Sequence, residues 1–97
     1  MTREELKQAV CAEIDRRRDA IIGIAQTMLH HPELGYKEVR TAALVRDTLA
    51  DLGLPVREGL AITGVDGLLQ GGHPGPALCI MGELDSVMAA DAPVCDP

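Results

Sequence analysis

Residues 82–87, GELDSV, place two carboxylates two positions apart, Glu83 and Asp85, directly after the apolar run ALCIM. On an extended backbone, residues two apart point the same way, so both acids would face one side at the tip of a strand. Strand tips in layered α/β proteins are where ligands and metals collect. A carboxylate there can bind a hard or borderline metal, or hold a ligating histidine through its second ring nitrogen. The plainer alternative is that the pair is the polar start of a loop.

The remaining reactive side chains carry less. His30 and His31 are adjacent, and neighbours on a helix point about 100° apart, so they are poorly placed to share one metal ion. A zinc site needs three or four convergent ligands. A helix-end or surface role suits them better. His73 lies in the turn-forming stretch GGHPGP, which belongs at the surface. Cys79 alternates with apolar neighbours and reads as a small core residue. Cys95 has no second cysteine or histidine near it in sequence. The three cysteines are an odd number without paired spacing, which fits neither a disulfide framework nor a zinc knuckle. GGHPG lacks the Lys-Ser/Thr and following helix of a phosphate-binding loop.

The elements that would position the acids are legible in the patterning. Thr2 and Glu5 form a capping-box pattern. Leu6, Val10, Ile14, Ile21, Ile24 and Met28 then recur at helical spacing, which predicts one helix of about 27 residues ended by Pro32. Gly23 weakens it slightly without ending it. After the connector HPELG, a second helix is expected over residues 36–52, with Val39, Ala42, Val45, Leu49 and Leu52 as its apolar stripe. Gly53 just past its end suits a left-handed cap that lets Leu54 fold back on Leu49, and Pro55 forbids continuation. Three strands follow: a weak, edge-like one at 55–60, a second at 63–70, and after the GGHPGP turn a third at 77–82, folding back as a hairpin. The third is apolar at successive positions, so both its faces require cover.

The fold class is therefore α/β, two N-terminal helices followed by a three-stranded piece of sheet. A strand buried on both faces needs a layer on each side, and two helices supply one. The chain has 97 residues, enough for one small domain. Its only aromatic residue is Tyr36, so a core must come from Leu, Ile, Val, Ala and Met. Nine basic residues against fifteen acidic ones leave a net charge of −6, which argues against nucleic acid or anionic membrane as a partner. Arg16-Arg17-Arg18 is bracketed by Asp15 and Asp19 and reads as a solvated helix face. No run approaches the roughly 20 apolar residues of a membrane span, and the charged MTREELK start has no signal core behind it. A reduced, cytoplasmic setting follows as the expectation.

The stretches HHPELGYKEVRTAALVRDTLADLGLPV and GLAITGVDGLLQGGHPGPALCIMGELDSV resemble the opening segment of the metallo-aminoacylase and carboxypeptidase family of zinc-dependent amidohydrolases. The likeness is to its hippurate hydrolase, N-acyl-amino-acid hydrolase and aminobenzoyl-glutamate hydrolase branch. It covers about Leu29 to Val87. It is carried by the HPELG turn, by Glu38, Thr41 and Ala42 at a helix start, by the Thr63-Gly64 pair, and by the strand ending in acid-x-Asp.

The resemblance implies that residues 1–97 are the N-terminal part of one layered α/β catalytic domain, with no second domain among them. It implies hydrolysis of the amide bond of N-acyl or aryl-amide amino acids by metal-activated water, with zinc or another divalent metal as cofactor and a homodimer as the whole enzyme. It assigns Asp85 to the catalytic site, supporting the metal centre from behind the ligands. Glu83 is placed in the metal site's vicinity, where the peptidase branch has a metal-binding histidine. The family's main ligands come from a later His-x-Cys-Gly-His segment. No metal ligand is therefore assigned here, and these residues alone are expected to be inactive. APVCDP resembles the loop leading into that segment, and Cys95 is not its cysteine. The alternative reading is a small non-catalytic oligomerisation or protein-interaction module.

Overall fold

The computed structural model describes residues 1–87, and these form two separate units divided after His31. The first unit holds helices α1 (Arg3–Arg16) and α2 (Arg18–His30). The capping box forms as the sequence requires. The Thr2 hydroxyl accepts from the Glu5 N–H at 3.1 Å, and the Glu5 carboxylate accepts from the Thr2 N–H at 3.3 Å.

The single helix of about 27 residues does not form. It is interrupted at Arg17, which lies at φ −94 and ψ 10, between the helical wells. The Arg17 N–H is shared between the carbonyls of Glu13 and Ile14, each at 3.1 Å, a tightened turn of the kind that closes helices. Side chains hold it. The Glu13 carboxylate accepts from Arg16 Nη2 at 2.5 Å and from Arg17 Nε at 2.6 Å. The apolar period cannot register such a break, because Leu6, Val10 and Ile14 stay in phase up to it. These hydrogen bonds from two guanidinium groups hold the Glu13 carboxyl down at about 2. Carbon-detected titration is expected to find the Glu13 midpoint near that value. A midpoint at the ordinary 4.5 would show that the clamp does not form. Beyond the break, Gly23 is accommodated inside α2, and Pro32 lies just past the capping residue His31.

The second unit holds α3 (Val39–Asp51), β1 (Val56–Leu60) and β2 (Gly64–Gly67). Helix α3 starts three residues later than the 36–52 span predicts, because Tyr36 takes a left-handed φ of 61 in a turn closed by Lys37 N–H to the Leu34 carbonyl at 2.9 Å. Its end is as expected. Gly53 has φ 81, its N–H reaches the Ala50 carbonyl at 2.9 Å, and the Leu54 N–H reaches back to Leu49 at 3.3 Å.

Strands β1 and β2 pair antiparallel, with Val56 opposite Gly67, Arg57 opposite Asp66 and Leu60 opposite Gly64. The register slips between Arg57 and Leu60, where Gly59 has φ 72. Arg57 and Asp66 pair across the strands as guanidinium and carboxylate. Gly67 lets α3 come close: a Cβ there would lie 3.2 Å from Leu49 Cδ1.

The third strand is a correction. Residues 77–82 carry no regular structure, and the sheet has two strands among the described residues. Leu78, Ile80 and Met81 are each about nine-tenths exposed, and Cys79, expected in a core, is exposed as well. An apolar run becomes a strand only when a neighbouring edge offers it hydrogen bonds, and no described segment does so. The described residues of the second unit thus form a two-stranded sheet with α3 against it, and do not by themselves make up the layered domain that the sequence implies. Among the described residues no apolar side chain is fully buried, and the two buried residues are polar, Glu38 and Thr41, each 6% exposed. On α3 the expected stripe is half right: Ala42, Val45 and Leu49 are half-buried, whereas Val39 and Leu52 are exposed.

Candidate functional site

The buried polar pair marks where the structure concentrates its hydrogen bonds. Glu33, in the connector, turns its carboxylate onto the first turn of α3. Oε1 accepts from the Thr41 N–H at 2.7 Å and the Thr41 hydroxyl at 2.8 Å, and Oε2 accepts from the Arg40 N–H at 3.2 Å. The orphan donors of a helix start are thus capped by a side chain outside the helix. The Thr41 N–H bond, helped by the hydroxyl and by Arg40, holds the Glu33 carboxyl below its usual value against the opposing effect of desolvation.

Glu38 stands at the N-cap position of α3 and points elsewhere. Its Oε1 accepts from the Tyr36 N–H at 2.7 Å, and its Oε2 accepts from the Thr63 hydroxyl at 2.5 Å. One carboxylate therefore ties the left-handed turn at Tyr36 to the turn residue just before β2. The Thr63 hydroxyl is the main cause of its lowered pKa, opposed by desolvation and by the charge on Glu33.

Asp85 comes to this cluster from the far end of the chain. The Ser86 N–H donates to the Glu33 carbonyl at 2.7 Å. Asp85 Oδ2 lies 3.9 Å from where a Cβ on Gly35 would be, and Glu38 Oε1 lies at the same distance. A glycine thus stands in the turn where the two acids approach it. Both sequence-predicted site residues, Asp85 and Glu83, are exposed and sit on a segment without strand geometry. Asp85 is brought against the turn. Glu83 makes no hydrogen bond or ion pair to another described residue. His31 turns its Nδ1 to the Thr27 carbonyl at 3.0 Å, a helix-end role, and His73 is exposed in its turn. Cys95 and the APVCDP stretch lie outside the described residues. Among the described residues no three His, Cys, Asp or Glu side chains group closely enough to hold a metal ion.

The residues that sequence reasoning kept only as motif letters, Glu33, Glu38, Thr41 and Thr63, are the ones that build the cluster. Glu33 stands eight positions before Thr41, so no capping-box spacing betrays it. The separation of 25 residues between Glu38 and Thr63 is invisible to any local pattern.

An open groove of about 230 Å³ runs between α3 and the hairpin, lined by Val39, Ala43, Ile62 and Val65 among others. Its one carboxylate, Glu58, is engaged with Arg46 at 3.5 Å, so the groove offers no free reactive group.

No family model matches the chain, and no solved structure does. Curated relatives are clear. The chain is 39% identical to thermostable carboxypeptidase 1 of Saccharolobus solfataricus over 87% of its own length and 21% of the relative's. It is 33% identical to thermostable carboxypeptidase 2 of the same organism, over 86% of its length and 21% of that protein. It is 36% identical to the IAA-amino acid hydrolase ILR1-like 4 of Arabidopsis thaliana, over 71% of its length and 16% of that protein. The chain spans about a fifth of the length of the curated relatives it matches. The relatives agree with one another in kind, and over most of its length the chain is similar to the N-terminal part of the amidohydrolase and carboxypeptidase family.

Proposed function

We propose that these residues are the opening part of an enzyme that hydrolyses the amide bond of N-acyl or aryl-amide amino acids, and that Asp85 and Glu83 face its active site. The relatives' names support the substrate class: two are carboxypeptidases and one is an IAA-amino acid hydrolase. The observation that carries the reading is the Ser86-to-Glu33 backbone bond, which seats Asp85 against the buried Glu38 turn. An acid held by a hydrogen-bonded frame is pre-positioned for a role that a loose loop acid is not.

The family's divalent metal does not fit the described residues taken alone, since they lack a convergent ligand set. The 97-residue chain by itself is inactive in this reading, and the homodimer belongs to the whole enzyme. A reduced, cytoplasmic setting goes with it, and the free thiols Cys11 and Cys79 support that setting. No helix among the described residues is long and apolar enough to cross a membrane.

The test is the intact mass and activity of the native gene product recovered from its cells. A product several times 10.3 kDa that cleaves N-acyl amino acids is the expected result. A 10.3 kDa product without amidase activity would overturn it. Exposed Leu6, Val10 and Ile14 favour a second reading, a non-catalytic oligomerisation module. That reading requires the 97-residue chain to melt cooperatively as a defined oligomer.

A further inference from the structure

We infer that Glu38 is a positioning residue for Asp85: its hydrogen bond from Thr63 holds the Glu33–Tyr36 turn in the one shape that lets the Glu33 carbonyl receive the Ser86 N–H. The inference rests on the proposed function only in giving Asp85 a site to face. The coupling itself is a property of the described residues.

Four observations carry it. Tyr36 has φ 61, a left-handed conformation that residues with a Cβ seldom adopt, so the turn does not hold its own shape. Such backbone persists when its surroundings over-determine it. Here two carboxylates do so. Glu33 is tied to α3 through Thr41 and Arg40, and Glu38 is tied to Tyr36 on one side and Thr63 on the other. The Glu38 side chain is buried, so its carboxylate cannot exchange Thr63 for bulk water. Finally, Ser86 is attached to this turn through the Glu33 carbonyl, and no other backbone hydrogen bond anchors residues 77–87 among the described residues. Removing the Thr63 hydroxyl leaves Oε2 of a buried carboxylate without its donor. The turn then relaxes toward ordinary φ, and the Glu33 carbonyl moves away from Ser86.

The experiment is amide hydrogen exchange by NMR on the full 97-residue chain and on T63V and T63S. In the unmodified chain the Ser86 amide is expected to exchange at least about tenfold more slowly than that of Val87, which has no acceptor among the described residues. T63V keeps the side-chain size and loses the hydroxyl. It should remove the Ser86 protection while the α3 amides from Leu44 to Leu49 keep theirs. T63S restores the hydroxyl and should restore the protection. A Thr63 needed only for packing would give the opposite order, with valine tolerated and serine not. Three results overturn the inference: Ser86 as fast as Val87 in the unmodified chain, Ser86 protection unchanged in T63V, or T63S failing to rescue. Activity plays no part in these readouts. Failure here leaves the amidohydrolase reading standing, and failure of that reading leaves the coupling standing.

Discussion

Replacing Gly64 with alanine is expected to dissolve the β1–β2 hairpin. A Cβ at that position would overlap the Leu60 carbonyl oxygen and lie 3.1 Å from the Leu60 Cβ. The first contact is with backbone, so no rotamer change relieves it. Leu60 is the register partner of Gly64, and the link between them holds Ala61 at φ 46 and Ile62 at φ 82. Two successive left-handed residues, one of them β-branched, leave that link no slack. The cost is expected at the upper end of overpacking, about 3 kcal/mol. Cross-strand NMR contacts between Arg57 and Asp66 report it, and their survival in Gly64→Ala would refute it. Gly67→Ala is the control. Its Cβ would meet the Leu49 methyl groups at 3.2 Å, and a side chain can give way. About 1 kcal/mol is expected there, with the pairing kept. Because Thr63 adjoins Gly64, loss of the hairpin also withdraws the donor from Glu38. The Thr-Gly pair therefore serves one purpose twice: a hydroxyl for the acid and a missing Cβ for the strand.

How much of this was legible in the sequence depends on how local each interaction is. The α3 C-terminus was fully readable, because Gly53, Leu54 and Pro55 are consecutive and each acts through its own backbone. Strands at 55–60 and 63–70 were placed close to the observed β1 and β2, since bounding turns mark them. The break at Arg17 escaped because hydropathy has no channel for a carboxylate gathering two guanidiniums. The strand at 77–82 failed for another reason. Leu78, Ile80 and Met81 state a demand for cover, and a sequence records demand whether or not a partner edge is present. In the site, Asp85 was singled out by type and spacing, and the structure adds the frame it leans on. The frame was not legible as chemistry: Glu33, Glu38, Thr41 and Thr63 come from three separate elements and meet only once α3 and the hairpin are in place.

Acid is expected to release this frame, and the sign follows from the two carboxylates. Glu33 and Glu38 are both held below the ordinary carboxyl value of 4.5, by the Thr41 N–H and the Thr63 hydroxyl respectively. A carboxyl whose folded value lies below its unfolded one stabilises the fold fully above the unfolded value. It loses that contribution as the pH falls through the folded value. The cap on α3 should therefore hold above pH 4.5 and fail progressively below it. The groups facing the pair are the two acids themselves, Asp85 across Gly35, and Arg40, the cation that helps to lower Glu33. The measurement is the Thr41 amide shift and exchange rate against pH. Glu33→Gln removes the charge, keeps one acceptor oxygen and should abolish most of this pH dependence. It should also speed Thr41 exchange by roughly five- to tenfold at neutral pH, the scale of a weakened N-cap. Thr63→Val should leave the Glu33 step in place, which separates the two acids. A Thr41 midpoint at or above 4.5, or a profile that Glu33→Gln leaves untouched, would show that the carboxylate does not cap the helix. In that case the turn at Tyr36 would be held by something other than charge, and Asp85 would lose the support that distinguishes it from an ordinary loop acid.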